Sequence, residues 1–321
     1  MSKPVAGAIL AVAALLGSAP AAAQDYPDRP VRLVIPFPAG SSTDSLGREV
    51  AQFMGQGLRQ PFVAENRPGA LATIGAAEVA RAKPDGYTLL LGTSTTHAAA
   101  PSLFKKLPYR PIEDFAPVGR VGAVVFALAV RADLPVDSVQ ALIELGQRRQ
   151  QNPLSWGYAN SANQVAGWAL VRHGNFEATA VPYKGVPQIV VDLMGGNIDF
   201  AIADLASIVP QVRAGKLKAL AVTSSEEVPQ LPGVPPLGRT VDGFTLLGWY
   251  GLYAPAGTPA PVVETLSRHL RQGLDDASVR QRIENSGLIP FPGSSDELTA
   301  YMHSEIGKWQ ALVQAAHIDP Q

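Results

Sequence analysis

The chain has 321 residues, with 26 basic and 27 acidic side chains, 30 glycines, 28 prolines and no cysteine. The missing cysteine excludes disulfides, thiolate metal sites and a cysteine nucleophile, and a net charge of −1 argues against a nucleic-acid partner, which would need a basic surface. An apolar content of 46% excludes a disordered chain and gives enough core for one large or two ordinary domains.

The N-terminus has the pattern of a secretory signal peptide over residues 1–23. Lys3 is the one charge in the first 24 residues, residues 5–16 are apolar, and residues 21–23 are small, as a cleavage site requires. A membrane anchor is the alternative, but a bilayer span needs about 20 apolar residues. We therefore expect an exported chain that starts near Gln24 and carries 25 basic and 27 acidic side chains, a net charge of −2.

Beyond the signal segment, predicted strands and helices alternate. The predicted strands are 31–36, 87–91, 124–130, 154–158, 178–183, 199–203, 217–223 and 246–253. The predicted helices are 45–58, 136–149, 164–173, 187–194, 206–214, 261–274 and 297–316. This alternation favours an α/β protein whose parallel sheets are covered by helices on both faces.

Loops follow five of the predicted strands, and four of these loops are small and polar. In chain order the five loops are 37–44, 92–96, 159–163, 184–186 and the segment that begins at Asp204. The carboxyl ends of strands in open α/β sheets face the binding crevice, and helix N-termini there offer free N–H groups. We therefore expect an anion site at this edge, made by local dipoles and not by a basic patch.

Ordinary structural roles explain several of the same residues. Thr43, Asp44, Ser161 and Asn163 are residue types that cap helix N-termini. Asp44 and Arg48 are also spaced by four, so a salt bridge along one helix face accounts for both.

Sequence signals for catalysis and for metal binding are weak. No two of the five histidines are spaced by four, and nucleophile-elbow, dinucleotide and Walker motifs are missing. Ser41, His97 and Asp204 could form a triad, but their spacing follows no rule that tests the idea. We predict no catalytic residue, no metal site and no cofactor.

A set of short motifs extends through nearly the whole mature chain. They are residues 26–40 (YPDRPVRLVIPFPAG) followed by Asp44, 65–70 (ENRPGA), 83–89 (KPDGYTL), 181–185 (VPYKG), 192–196 (DLMGG), 214–222 (AGKLKALAV), and 249–252 (WYGL) with 254–259 (APAGTP). In this order they resemble the Bug-type solute receptors, the extracytoplasmic binding proteins of tripartite tricarboxylate transporters.

The resemblance implies a type II periplasmic-binding-protein fold, with two α/β domains joined by a two-crossing hinge. We expect residues 26–122 and 226–321 to form domain 1, and residues 123–225 to form domain 2. The resemblance further implies a monomeric periplasmic receptor that is not an enzyme. Its expected partners are a small carboxylate, held in the cleft partly through ordered waters, and the membrane subunits of the transporter.

By match to the family, binding residues lie on both sides of the cleft. The residues expected on one lip are Phe37, Ala39, Gly40, Ser41 and Asp44. Those expected on the other lip are Tyr183, Lys184 and Gly185. The residues expected to line the cleft between them are Thr93, Ser94, Asn160, Ser161 and Asp204.

The chain departs from the family pattern in three places. Ser41 replaces the second glycine after Pro-Ala, Leu71 and Ala72 replace a glycine pair, and residues 159–168 replace a Gly- and Ser-rich segment that ends in histidine. These changes leave the identity of the ligand open. A secreted hydrolase that uses the same cleft, or a receptor that signals and does not feed a transporter, remains an alternative function.

Overall fold

The computed structural model describes residues 26–320, so the predicted signal peptide lies outside the described residues. Eleven strands form two sheets within this range. The strands are β1 (Val31–Ile35), β2 (Phe62–Asn66), β3 (Thr88–Thr93), β4 (Phe115–Val124), β5 (Phe126–Arg131), β6 (Leu154–Tyr158), β7 (Ala178–Pro182), β8 (Phe200–Asp204), β9 (Leu217–Val222), β10 (Gly248–Pro255) and β11 (Ile289–Gly293).

Ten α-helices cover the sheets in the same range. They are α1 (Ser42–Leu58), α2 (Thr73–Ala80), α3 (Ala100–Leu103), α4 (Val139–Arg148), α5 (Ser161–His173), α6 (Val186–Gly195), α7 (Leu205–Arg213), α8 (Ala260–Asp275), α9 (Ala277–Asn285) and α10 (Ser295–Ala315). A π-helical turn, Thr95–Ala99, precedes α3. Every predicted strand and helix is present within about three residues of its predicted ends, whereas β2, β4, β11, α2, α3 and α9 were missed.

The two sheets share one strand order. The first sheet runs β11-β4-β10-β3-β1-β2 and the second runs β7-β6-β8-β5-β9, so β10 and β5 occupy equivalent places. Both of these strands are antiparallel to their neighbours. The expectation of parallel sheets is therefore wrong at these positions. The expectation rested on helices alternating with strands, and this alternation breaks where the chain passes between the sheets, because no α-helix lies between β4 and β5 or between β9 and β10.

Each sheet forms the centre of one lobe. We call the lobe built on the first sheet the first lobe and the lobe built on the second sheet the second lobe. The chain crosses between the lobes at residue 125 and again over residues 223–247. The two crossings are bonded to each other, because Phe126 N–H donates to Thr223 Oγ1 (3.1 Å) and Thr223 N–H donates to the Phe126 carbonyl (2.9 Å). The structure is thus a two-domain α/β fold with two crossings, and the limits near 122 and 226 stay a prediction.

The core continues from the sheets into the seam between the lobes. Trp156 in β6, Trp249 in β10 and Trp309 in α10 are among the largest fully buried side chains. Trp249 Nε1 and Trp309 Nε1 both donate to Glu305 Oε2, at 3.1 and 3.3 Å. The core therefore fixes β10, whose first residues line the site.

Among residues 26–320, no helix combines the length and the apolar character that crossing a bilayer would require.

Candidate functional site

Residues at the carboxyl ends of β1, β3, β6 and β8, and in the loops that follow them, line one cavity of about 30 Å³ between the lobes. Six of the expected site residues are in this lining: Phe37, Ser41, Thr93, Ser94, Asn160 and Asp204. The lining also contains residues that the sequence prediction missed, namely Ser42, Thr43, Thr95, Val124, Phe126, Ala159, Ala162, Val186, Gly248, Trp249 and Tyr250. The cavity lies where the strand-to-helix loops were expected to meet.

The N-terminus of α1 forms the first-lobe wall. Ser41 is the N-cap: its hydroxyl accepts from Asp44 N–H (3.2 Å) and donates to the Pro38 carbonyl (2.8 Å). The N–H groups of Ser42 and Thr43 precede the first intrahelical bond, and both residues line the cavity. The first-lobe donors are therefore backbone groups of the helix start, while the Ser41 side chain is used in capping.

Asp44 supports this loop from behind and does not line the cavity. Its carboxylate accepts from Gly40 N–H (3.0 Å), Asn66 Nδ2 (2.9 Å) and Arg48 Nε (3.1 Å). Burial raises the pKa of Asp44, but the bonds from Arg48, Asn66 and Gly40 outweigh burial and lower it. The predicted Asp44–Arg48 pair is present, and it is part of a larger network that fixes the loop.

The backbone conformation at position 40 requires a glycine. Its φ of +78° lies in the left-handed region, and a Cβ at this position would meet no atom within 4 Å. Its N–H is already used by Asp44, and both Ala39 and Gly40 are exposed. Gly40 therefore has a conformational role in this loop, and its contact with a ligand stays a prediction.

The N-terminus of α5 forms the facing wall in the second lobe. The Asn160 side chain caps the helix by accepting from Asn163 N–H (2.9 Å), and Ala162, in the first turn, lines the cavity. Ser161 is fully buried, and its hydroxyl lies 2.9 Å from Thr95 Oγ1 of the first lobe. Ser161 thus joins the lobes beside the cavity.

The loop of Tyr183, Lys184 and Gly185 lies outside the main cavity. The Tyr183 hydroxyl donates to Asp192 Oδ2 (2.7 Å), and burial together with this bond raises its pKa to about 12. Tyr183 and Lys184 line a neighbouring space with residues 69–72, and Lys184 is exposed. Gly185 is buried against the first lobe, since a Cβ there would lie 2.8 Å from Pro38 Cγ.

Asp204 caps α7 and lines the cavity from the second lobe. Its Oδ1 accepts from Ser207 N–H (3.0 Å) and Ser207 Oγ (2.9 Å). Burial raises the pKa of Asp204, and the bonds from Ser207 and from the Ser42 side chain of the first lobe offset this rise only in part. The nearby Tyr250 hydroxyl is also buried in the lining, which raises its pKa to about 12.

The structure does not bring together the triad that the sequence left open. His97 is fully buried, stacks on Tyr253 with ring centroids 3.9 Å apart, and bonds through Nδ1 to Thr96 Oγ1 (2.8 Å). The Ser41 hydroxyl and the Asp204 carboxylate are used in capping their own helices. Within residues 26–320, moreover, no cluster of three His, Asp or Glu side chains could hold a metal ion.

An error in two helix starts accounts for three of the missed lining residues, Ser42, Thr43 and Ala162. The helices were predicted to begin at Ser45 and Gln164, but they begin at Ser42 and Ser161, one turn earlier. Ser41 and Asn160 are good N-cap types, and this signal could have placed both helix starts correctly.

Comparison with known proteins agrees with this geometry. The profile of the family described as "Tripartite tricarboxylate transporter family receptor" matches residues 46–318. The chain belongs to this receptor family. It is similar to the protein BugT of Bordetella pertussis, with 33% identity over 316 residues that cover 97% of this chain and 95% of BugT.

Solved receptors of the family share the fold. The structure of Rpa4515 from R. palustris with adipate has a TM-score of 0.88 at 32% identity and covers 92% of this chain and all of that one. MatC from Rhodopseudomonas palustris, with bound malate, has a TM-score of 0.84 at 34% identity and covers 90% of this chain and all of that one. The chain is therefore a solute-binding receptor of the periplasmic-binding-protein fold, as the motifs predict.

Proposed function

We propose that the chain is a monomeric periplasmic receptor that binds a small carboxylate between its lobes and delivers it to the membrane subunits of a tripartite tricarboxylate transporter. One observation carries the proposal: the N-termini of α1 and α5, from different lobes, converge on one cavity. Helix N-termini combine free N–H donors with a partial positive charge, so they bind anions without a basic side chain.

The relatives support a small organic anion as the ligand, and the cavity between the lobes has a volume of about 30 Å³. Rpa4515 and MatC, which share the fold over most of this chain, contain adipate and malate. The hydroxyls of Thr93 and Ser94 add donors, directly or through bridging water.

Binding would couple to closure of the lobes. Ser42 and Thr43 belong to the first lobe and Ala162 belongs to the second, so one carboxylate reaches all three N–H groups only when the lobes are closed. A ligand that contacts both lobes stabilises the closed state by its differential affinity for that state. Delivery then requires a membrane partner that reopens the cleft.

Calorimetry and thermal-shift assays with mono-, di- and tricarboxylates and amino acids test the binding step. The sharpest variant is Ser42→Pro, which deletes one N–H donor at the first helical position, where proline is tolerated. Ser41, the residue before position 42, has a ψ of 161°, a conformation that suits a residue before proline. We expect Ser42→Pro to lose at least about tenfold in affinity with little change in melting temperature.

Ser42→Ala is the matched control, since it removes the hydroxyl and keeps the N–H group. It should bind more tightly than Ser42→Pro. Binding of no organic anion by folded protein, or equal affinities of Ser42→Pro and the wild type, would contradict the proposal. Uptake of the best ligand by cells that lack the receptor, restored by the wild type and not by Ser42→Pro, tests delivery.

A further inference from the structure

Asp204 differs from the other buried carboxylates of the described chain. Three acidic side chains are less than a tenth exposed: Asp44 and Glu305, each at 5%, and Asp204 at 2%. Asp44 is paired with Arg48 (3.0 Å) and Glu305 with Lys308 (3.4 Å). Asp204 takes part in none of the ion pairs formed within residues 26–320.

The cavity around Asp204 offers it no counterion. Asp204 is the one carboxyl group in the lining, and the lining includes no lysine, arginine or histidine of the described chain. Burying a carboxylate is costly unless a cation or several donors compensate it. The bonds that compensate Asp204 come from neutral groups: Ser207 donates twice to Oδ1, and the Ser42 side chain at the start of α1 donates as well. Burial raises the pKa of Asp204, whereas these bonds and its position as N-cap of α7 favour the ionised form.

The lining of the cavity therefore combines two electrostatic features. The helix starts of α1 and α5 present N–H donors that suit an anion, whereas Asp204 presents an acceptor that suits a cation. A second ligand carboxylate placed at Asp204 would face a like charge in a buried site, which is unfavourable. An ammonium group there would supply the counterion that the protein does not.

On the basis of the proposed function, we propose that the ligand is a zwitterion, a carboxylate that carries an ammonium group, and that Asp204 is the specificity-determining residue that binds the ammonium group. The carboxylate end is held by the helix starts of the two lobes. A hydroxyl in place of the ammonium group still donates a hydrogen bond to Asp204, but without a full charge it is held less tightly.

Two ligand series isolate the group that meets Asp204. Propionate, lactate and alanine differ at C2 in carrying hydrogen, hydroxyl or ammonium, and succinate, malate and aspartate repeat this change on a dicarboxylate. Titration calorimetry on the full mature chain gives each dissociation constant. We expect the ammonium member to bind at least about tenfold more tightly than the hydroxyl and hydrogen members in the series that fits the cavity.

Asp204→Asn is the variant that tests the residue, because asparagine keeps the shape and a capping oxygen but removes the charge. Asp276→Asn is the matched control, since Asp276 caps α9 in the same way at an exposed position. We expect Asp204→Asn to abolish the preference for the ammonium member and Asp276→Asn to keep it.

The outcomes separate this inference from the proposed function. Tightest binding of the hydrogen or hydroxyl member to the wild type overturns the inference and leaves the carboxylate receptor standing. An unchanged ammonium preference in folded Asp204→Asn also overturns the role of Asp204. Failure of both series, and of every other organic anion, overturns the proposed function and this inference with it.

Discussion

The two lobes share a strand order but build their sides of the cleft differently. The first-lobe loop before α1 is tied down by the Asp44 network and by the bond from Asn66 Nδ2 to the Phe37 carbonyl (3.0 Å). The second-lobe loop at Tyr183 makes one side-chain bond, to Asp192, beside the backbone bond from Tyr183 N–H to the Tyr158 carbonyl (2.8 Å), and it leaves Lys184 exposed. The comparison indicates that the first-lobe loop is held by more side-chain bonds than the second-lobe loop at Tyr183, which supports the proposal that the second lobe closes on a preorganised first lobe.

Glycines mark the places where the second lobe meets the first. Gly185 lies against Pro38 at one mouth of the cleft, with 2.8 Å between a Cβ placed there and Pro38 Cγ. At the other mouth Gly287 lies against Ala206, with 2.9 Å between such a Cβ and the Ala206 nitrogen. We therefore predict that closure of the lobes depends on the absence of a side chain at Gly185 and at Gly287.

A threonine at position 185 should disrupt closure most strongly. Gly185 has φ −168°, which any residue adopts, and threonine is an acceptable N-cap for α6, so the helix should be retained. We expect Gly185→Thr to weaken ligand binding about 100-fold, or about 3 kcal/mol, because the closed state is penalised. Calorimetry measures the loss.

The double variant Gly185→Thr with Pro38→Ala is the control for this prediction. It deletes Pro38 Cγ and Cδ, the atoms that a Cβ would meet at 2.8 and 3.3 Å. Most of the affinity should return. A double variant as weak as Gly185→Thr alone would show that the contact does not govern closure.

Loosening the first lobe should have the next largest effect. Asp44→Ala leaves Gly40 N–H, Asn66 and Arg48 without their acceptor, and we expect a loss of about 2 kcal/mol in the free energy of unfolding together with weaker binding. Chemical denaturation measures the change. Arg48→Ala removes only a half-exposed partner and should cost less than about 1 kcal/mol. Equal losses in the two variants would argue against the network.

Lowering the pH should destabilise the first lobe through His97. Burial lowers the pKa of His97 to about 3, below its ordinary value of 6.5, so between these values the unfolded chain binds a proton that the folded chain does not. The contribution of His97 to stability therefore falls as the pH drops below 6.5, by up to about 1.4 kcal/mol per pH unit. Denaturation of His97→Phe, which keeps a ring stacked on Tyr253, should show a flatter pH dependence between pH 6.5 and 5. A slope equal to that of the wild type would contradict the assignment.

In the second lobe, Asp204 should change stability with pH in the opposite direction to His97. Its effect on the free energy of unfolding should be the smallest of those predicted. Burial raises its pKa, so the folded chain holds a proton more readily than the unfolded chain and stability falls as the pH rises through that range. We expect Asp204→Asn without ligand to be more stable at pH 7, by on the order of 1 kcal/mol, because an unpaired buried charge is removed. Thermal unfolding should show no such gain for Asp276→Asn. A less stable Asp204→Asn would indicate that the charge is compensated inside the protein.

The sequence predicted the location of the site better than its chemistry. Strand-to-helix loops can be found from hydrophobic periodicity, so Ser41, Thr93, Ser94, Asn160 and Asp204 were expected together, and they line one cavity. Strand direction has no such pattern, so the antiparallel β5 and β10 were not predicted, although β10 ends up beside the cavity.

Other contacts depend on tertiary structure. Asn66 supports Asp44 from the end of β2, a partly exposed strand that gave no clear alternation in the sequence. The spacing of Asp44 and Arg48 predicted their pairing, but it could not predict that Gly40 would share the same carboxylate. The roles of Gly185 and Gly287 are visible only once the lobes are brought together.

A crystal structure of the receptor with the tightest ligand from the carboxylate and amino-acid panel tests the central claim most directly. We predict that a ligand carboxylate lies between the lobes, with its oxygens about 3 Å from the backbone nitrogens at the start of α1 and α5, directly or through one water. A carboxylate bound outside this cavity, or held at Lys184 away from both helix starts, would contradict the account.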